Sequence, residues 1–413
     1  MQPLIDQIRQ SGQTEFFWML VGIIIGKLVE RVWRAGANIV SERRIRRRLA
    51  EQESTSEHRL NVATLGSASP YDLKRDLRLS HSNRCLRVVP PTDILERLLG
   101  TSGDSDAGWV RSEPVAFDGS SDYSELIMTT GIADLAARIE RHRRWVAEDF
   151  LHRRHGCHFN QPKFGVYRLD TLQRAGQDER PVLRMEVYNT DYFTHRVFRS
   201  VYRELVQEGH PIARCTYGDL ARYNCFTTSF GVNAFLILKS DAAHSDVIAL
   251  AQRSRLAAGN IRGEIFSATV NEGLSSTDVN YLGQVDLVQC LERGFDEEVG
   301  LTRQDLSDAR YNFYDVFLER SRFELGLTCG VVVSGITPEE FSRRAEVAKD
   351  RVLEIAALRF LTYTRSSLQK FINEHQFVPH ALFTLLRVAV RDQIYLELRA
   401  LEGVRPDLEN SHP

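Results

Sequence analysis

Arg293, Glu297 and Glu298 are the side chains of this 413-residue chain whose types and spacing point most directly to chemistry. Arg293 precedes Glu297 by one helical turn, so an ion pair between them is expected if the segment is helical. Two adjacent carboxylates near a helix end can hold a divalent cation, and the cation in turn grips phosphate oxygens. Mg²⁺ is one ion such a pair could take, and no cofactor is fixed by the residues alone. The plain alternative is a solvated acidic helix end, because an EExG run is common in charged helices.

The element that must position these groups is legible around them. Residues 286–301 read DLVQCLERGFDEEVGL. Leu287, Cys290, Leu291 and Gly294 fall at i, i+3, i+4 and i+7, the spacing of a helix packed along one face. Phe295 and Glu298 extend the stripe, and Gly300 stands where the helix should stop.

This stretch resembles the second half of a Nudix box, the metal- and diphosphate-binding motif of Nudix hydrolases. The likeness is carried by Arg293, the apolar Phe295, Glu297, Glu298 and Gly300-Leu301. The family has a glutamate directly after the arginine, where this chain has Gly294. The family's earlier glutamate would fall at Val285, and Gly273, in VNEG, matches its glycine-rich loop in kind but lies too far upstream. The resemblance implies an α/β fold, a Nudix-like mixed-sheet α/β/α sandwich with helical additions. It also implies Glu297 and Glu298 as metal ligands and Arg293 as a support for nucleotide binding. Losing the carboxylate at 294 removes one ligand and puts glycine inside a helix, at about 1 kcal/mol. Phosphate recognition with little turnover is therefore expected. Asp315, Glu319 and Glu324 are the carboxylates that could replace the missing ligand or act as a base, although charged residues on a strand are usually its wet face.

Flanking patterns supply a sheet. Phe164–Leu169 and Val182–Tyr188 have strand composition, as do Phe230–Leu238, Ile265–Val270, Tyr311–Leu318 and Phe323–Val333. Helices are expected at Thr92–Leu99, within Tyr123–Arg153, over Asp191–Leu205, from Thr337 towards Leu358, and over Pro379–Leu401. Arg168, Arg184 and Lys163, on or near the early strands, are candidate phosphate contacts. Tyr188, Tyr192 and Phe193 could stack on a base, with core packing as the default for such rings. His155-Gly156-Cys157-His158 clusters donors too closely to close a zinc site alone, so local loop or core roles are expected. Six scattered cysteines without a CxxC argue for reduced thiols in a cytosolic setting.

The N-terminal segment has a different texture. Phe16–Gly26 is an unbroken apolar run, and Trp18 and Trp33 suit two interfaces while Lys27 can snorkel. A single transmembrane helix is expected over 16–33, with a signal peptide and a buried core helix as the alternatives. Arg31, Arg34, Arg43, Arg44, Arg46, Arg47 and Arg48 follow it, which places the bulk of the chain in the cytoplasm. Gly22 and Gly26 form a GxxxG that would let two spans pack closely. The expected organisation is a short extracytoplasmic N-terminus (1–15), the span (16–33), a basic juxtamembrane segment (34–60), a linker and helical region (61–160), and a Nudix-like domain with C-terminal helices (161–413).

Taken whole, this order resembles the membrane-anchored Nudix-like effectors of bacterial anti-phage systems that signal with cyclic oligonucleotides. The resemblance implies an inner-membrane, single-pass protein. Its cytoplasmic domain would sense a cyclic oligonucleotide or other nucleotide, and its spans would self-associate to disrupt the lipid bilayer. Two alternatives are a membrane-tethered, Mg²⁺-dependent hydrolase of nucleoside diphosphate derivatives and a nucleotide-independent scaffold. The formal net charge of −2 gives no global attraction to nucleic-acid duplexes.

Overall fold

The computed structural model describes residues 59–67, 77–101, 108–174, 181–240, 245–254, 264–350 and 354–396, together with positions 25–27, 29, 40, 44 and 47. The chain divides into a unit of residues 1–51 and a unit of residues 52–413. In the first unit every described position is helical, Gly26 included. Gly22, most of the expected 16–33 span and most of the basic segment 34–60 lie outside the described residues. Among the described residues no helix is long and apolar enough to cross a membrane.

The second unit is built on two sheets. Its strands are β1 (Val62–Ser67), β2 (Leu77–Cys85), β3 (Pro162–Arg174), β4 (Pro181–Asp191), β5 (Phe230–Leu238), β6 (Val247–Arg253), β7 (Ile265–Ser267), β8 (Val270–Gly273), β9 (Arg310–Glu319), β10 (Glu324–Val333), β11 (Ile355–Thr362) and β12 (Gln376–Phe377). Its helices are α1 (Thr92–Thr101), α2 (Ser124–Thr130), α3 (Leu135–Leu151), α4 (Tyr192–Gln207), α5 (Leu287–Val299), α6 (Pro338–Ala345), α7 (Arg365–Glu374) and α8 (Pro379–Arg391). β2, β4 and β3 form a three-stranded sheet, and the other strands form a nine-stranded mixed one with β10 parallel to β5.

Side-chain alternation splits the large sheet into two faces. On β5, Phe230, Val232, Ala234, Leu236 and Leu238 join a core shared with α4 and α5. Phe235 and Ile237 join a second core with Leu368 of α7 and the apolar face of α8. The sheet therefore lies between helical layers, the mixed α/β arrangement expected from the sequence.

One edge of β5 serves two partners in turn. Leu236–Leu238 pair with Val247–Ala249 of β6, and Gly231–Ala234 pair with Val270–Gly273 of β8. β6 leaves β5 and continues against β7, so β7 and β8 enter the sheet as a wedge. Thr269 sits at its apex, fully buried. Its hydroxyl accepts from the Leu236 amide at 2.9 Å and donates to the Ala249 carbonyl at 2.5 Å.

Three expectations change. Residues 61–160, read as linker and helices, supply β1 to the large sheet and β2 to the small one. The helix expected over Pro379–Leu401 ends at Arg391, whereas the one expected within Tyr123–Arg153 is present as α3, preceded by the short α2, which Gly131 ends in the left-handed region (φ 71°). The helix expected to run towards Leu358 stops at Ala345, and Ile355–Thr362 pairs instead with the free edge of β6.

Candidate functional site

α5 begins and ends as its sequence dictates. The Asp286 carboxylate accepts from the amides of Val288 (2.8 Å) and Gln289 (3.4 Å), which satisfies donors at the helix start. Gly300 closes the helix at φ 67°, with its amide and that of Leu301 bonded back to Asp296 and Phe295. A Cβ on Gly300 would also meet the Arg344 carbonyl at 2.5 Å, so glycine permits the approach of α6.

Arg293 is the centre of the site. Its Nε and Nη2 donate to the two oxygens of Asp278, at 2.9 and 2.8 Å. Its Nη1 donates to Glu272 at 2.9 Å and to Glu297 at 3.4 Å, and Nη2 also reaches the Gly273 carbonyl at 3.0 Å. The expected pair with Glu297 is present, but it is the longest of these bonds. The shorter ones fasten the loop after β8 to the helix. Asp278 is itself fixed, since it accepts from the Ser275 amide and its own carbonyl accepts from Asp286.

Gly294 does not leave a hole. A Cβ there would lie 2.8 Å from Cγ1 of Val270, 2.9 Å from Cβ of Glu272 and 3.0 Å from its Cγ. The space beside α5 is filled from β8, and Glu272 brings a carboxylate into it. That carboxyl is pushed up to about 7 by burial, against the opposing pull of Arg293 and Lys163. Burial and then the neighbouring Glu272 push Glu298 well above the usual carboxylate range, while Arg253 and the Asn271 amide pull it back. Glu298 is 8 % exposed. Glu297 is more exposed and is engaged by Arg293, so the adjacent carboxylates of 297 and 298 have different surroundings.

No family model and no curated protein matches the chain. Among solved structures it is similar to DR0079 from Deinococcus radiodurans, at 13% identity over 39% of this chain and 83% of that one, with a TM-score of 0.27. It is likewise similar to a mutT/nudix family protein from Listeria innocua, at 15% identity over 40% of this chain and 94% of that one, also with a TM-score of 0.27.

Cations gather on the same face. Lys163, at the start of β3, lies over the Tyr192 ring at 5.8 Å, and burial lowers its ammonium despite Glu272 and Glu324. Glu324 stands 3.6 Å from Arg199 and 3.5 Å from His195, both of α4. Burial opposes its charge, but Arg199, His195 and Arg322 hold it well below the usual range. Arg253, at the end of β6, faces Glu354 at 4.0 Å.

The other sequence candidates lie elsewhere. Arg168 and Arg184 are exposed on the three-stranded sheet, and Arg168 pairs with Asp170 at 2.9 Å. Tyr188 and Phe193 are core. Asp315 meets Arg391 (3.1 Å) and Arg387 (3.9 Å), and Glu319 meets His380 (2.5 Å), all three partners on α8. Neither supplies the carboxylate missing at 294. His155 pairs with Asp149 at 3.2 Å and Cys157 is buried. Among the described residues, no three His, Cys, Asp or Glu side chains are grouped to hold a metal ion. Sequence reasoning passed over Glu272 and Asp278. The available signal was Glu272 beside Gly273 in VNEG, a carboxylate next to the glycine already singled out.

Glu272 and Glu298 suit a divalent cation as a pair. Glu272 raises the affinity of Glu298 for a proton, Glu297 raises that of Glu272, and a cation would relieve the same repulsion. Mg²⁺ is commonly held by one or two carboxylates and completed by substrate phosphates. Bound there, it would supply positive charge for phosphate oxygens. The chain's own contribution is Arg293, which orients Glu272, and Lys163 and Arg253, which place further positive charge nearby.

Proposed function

We propose that this chain is a receptor for a phosphorylated nucleotide on a Nudix-like frame, with the ligand's phosphates held at the Glu272, Glu298 and Arg293 cluster. The observation that carries the reading is the replacement at Gly294. Where the resembled motif carries a carboxylate on the helix, Glu272 of β8 fills the space beside Gly294, which supports a cation seat of altered geometry. Two carboxylates can anchor a phosphate-bound ion without the full ligand set that efficient hydrolysis needs.

In the fuller form of this proposal, residues 16–33 hold the protein at the inner membrane. A cyclic oligonucleotide draws soluble units together, Gly22 and Gly26 let the spans pack, and the membrane is disrupted as an anti-phage response. Support for this part comes from the sequence pattern.

The same replacement also favours a second reading, a Mg²⁺-dependent hydrolase of nucleoside diphosphate derivatives. One experiment separates them. The full chain in detergent is incubated with Mg²⁺ and linear and cyclic nucleotides, with binding and product both measured. Tight binding with no product supports the receptor. Release of mononucleotide that disappears in Glu298→Gln supports the hydrolase. No binding and no thermal shift with any nucleotide leaves a scaffold.

A further inference from the structure

A cavity of about 250 Å³ lies where the start of β3 and the end of β4 meet residues 87–90 and 108–112. Stiff apolar surfaces of Trp109, Pro90 and Pro162 line it. The Trp109 ring is fixed edge-on against Phe150 at 5.2 Å and Phe193 at 5.8 Å.

Its polar groups are incompletely used. Thr190 lines the cavity, is 5 % exposed, and its hydroxyl has no hydrogen-bond partner. Buried hydroxyls are normally bonded, so an orphan on a residue that lines a cavity points to something that fills it. Arg87 and Asp191 also line the space, with Nε and Oδ2 3.8 Å apart, beyond direct hydrogen-bond reach. The other oxygen of Asp191 is taken by the Thr194 amide at 2.7 Å. Arg87 and Asp191 thus form an ion pair without a direct hydrogen bond, and the side chains of Thr194 and Asn160 also reach the carboxylate.

We infer that this cavity binds a nucleobase-sized heteroaromatic ring. A flat ring with an N–H next to an acceptor nitrogen would bridge Asp191 and Arg87, engage the Thr190 hydroxyl, and lay its face against Trp109 and the prolines. Sites for drug-sized ligands run from about 300 to 1,000 Å³. A cavity of 250 Å³ therefore matches a base or nucleoside. The inference uses no residue of the Arg293 cluster and stands or falls separately from the receptor reading.

Calorimetric titration of the full chain in detergent with adenosine, guanosine, cytidine and uridine tests it. At least one nucleoside binds, Thr190→Val weakens it about five- to tenfold, and Thr190→Ser, which keeps the hydroxyl, binds like the parent. Ser112→Phe, which fills the cavity from its rim, abolishes binding. Absence of binding by all four nucleosides overturns the inference. So does binding that Thr190→Val and Ser112→Phe both leave unchanged.

Discussion

The Cβ that Gly294 lacks would lie 2.9 Å from the Cβ of Glu272, closer than two such atoms approach in folded proteins. Residue 294 is glycine because a side chain from β8 occupies its place. The glycine in the helix and the glutamate on the strand are fitted to each other in one packing arrangement.

Gly294→Ala should therefore reverse the usual rule for helix glycines. Helix propensity favours alanine by about 1 kcal/mol, but overpacking against Val270 and Glu272 costs about 1–3 kcal/mol. The variant is expected to unfold at lower urea than the parent. A higher midpoint would mean that β8 moves aside easily and that Glu272 is not locked in place.

Arg293→Lys keeps the charge and loses the planar fork. A single ammonium cannot replace the paired bonds to Asp278 while also reaching Glu272 and the Gly273 carbonyl. A loss of about 2–3 kcal/mol is expected, the part exposure of Arg293 keeping it below that of a fully buried pair. Chemical denaturation measures it. An unchanged midpoint would remove the loop-fastening role.

Acid stability should follow His195. Burial, only partly offset by Glu324, lowers its imidazole to about 4. The unfolded chain, near the ordinary histidine value of about 6.5, binds the proton more tightly. The contribution is therefore complete above about pH 6.5 and lost as pH falls towards 4, at most about 3 kcal/mol. His195→Gln should flatten the pH dependence of stability in that window. Glu319, held down to about 2 mainly by His380 against burial, adds a second loss between about pH 4 and 2.

Asp315→Asn removes the charge facing Arg387 and Arg391, which are 1 and 3 % exposed at the side chain. Breaking a buried pair by removing one partner typically costs about 3–5 kcal/mol. Thermal unfolding should show a loss of that order, and a change below about 1 kcal/mol would show that the two guanidinium groups are adequately solvated without it.

Much of this fold was legible where the signal is local. α5 announces itself through Asp286, its apolar stripe and Gly300, and it begins and ends within two residues of the segment so marked. The strands β5, β9 and β10 were equally clear from composition. What stayed hidden depends on partners distant in the chain. Val62–Ser67 becomes a strand because β9, some 250 residues on, offers it an edge. Ile355–Thr362 becomes one because β6 does. Glu272 could not be read as the neighbour of position 294 because nothing in its sequence surroundings says that β8 packs across α5. Lys163 was flagged for its charge, while its place beside Gly273, where a Cβ would meet its Nζ at 2.6 Å, is a property of the assembled sheets.

Arg253 and Glu272 ride on different prongs of a forked ladder, because β6 and β8 part company at Thr269. A ligand that engages both staples the prongs together, and without it two bonds from one hydroxyl set their spacing at the crotch. Occupancy should consequently be readable far from the ligand, as slower deuterium uptake at the Leu236 amide, the proton that Thr269 guards.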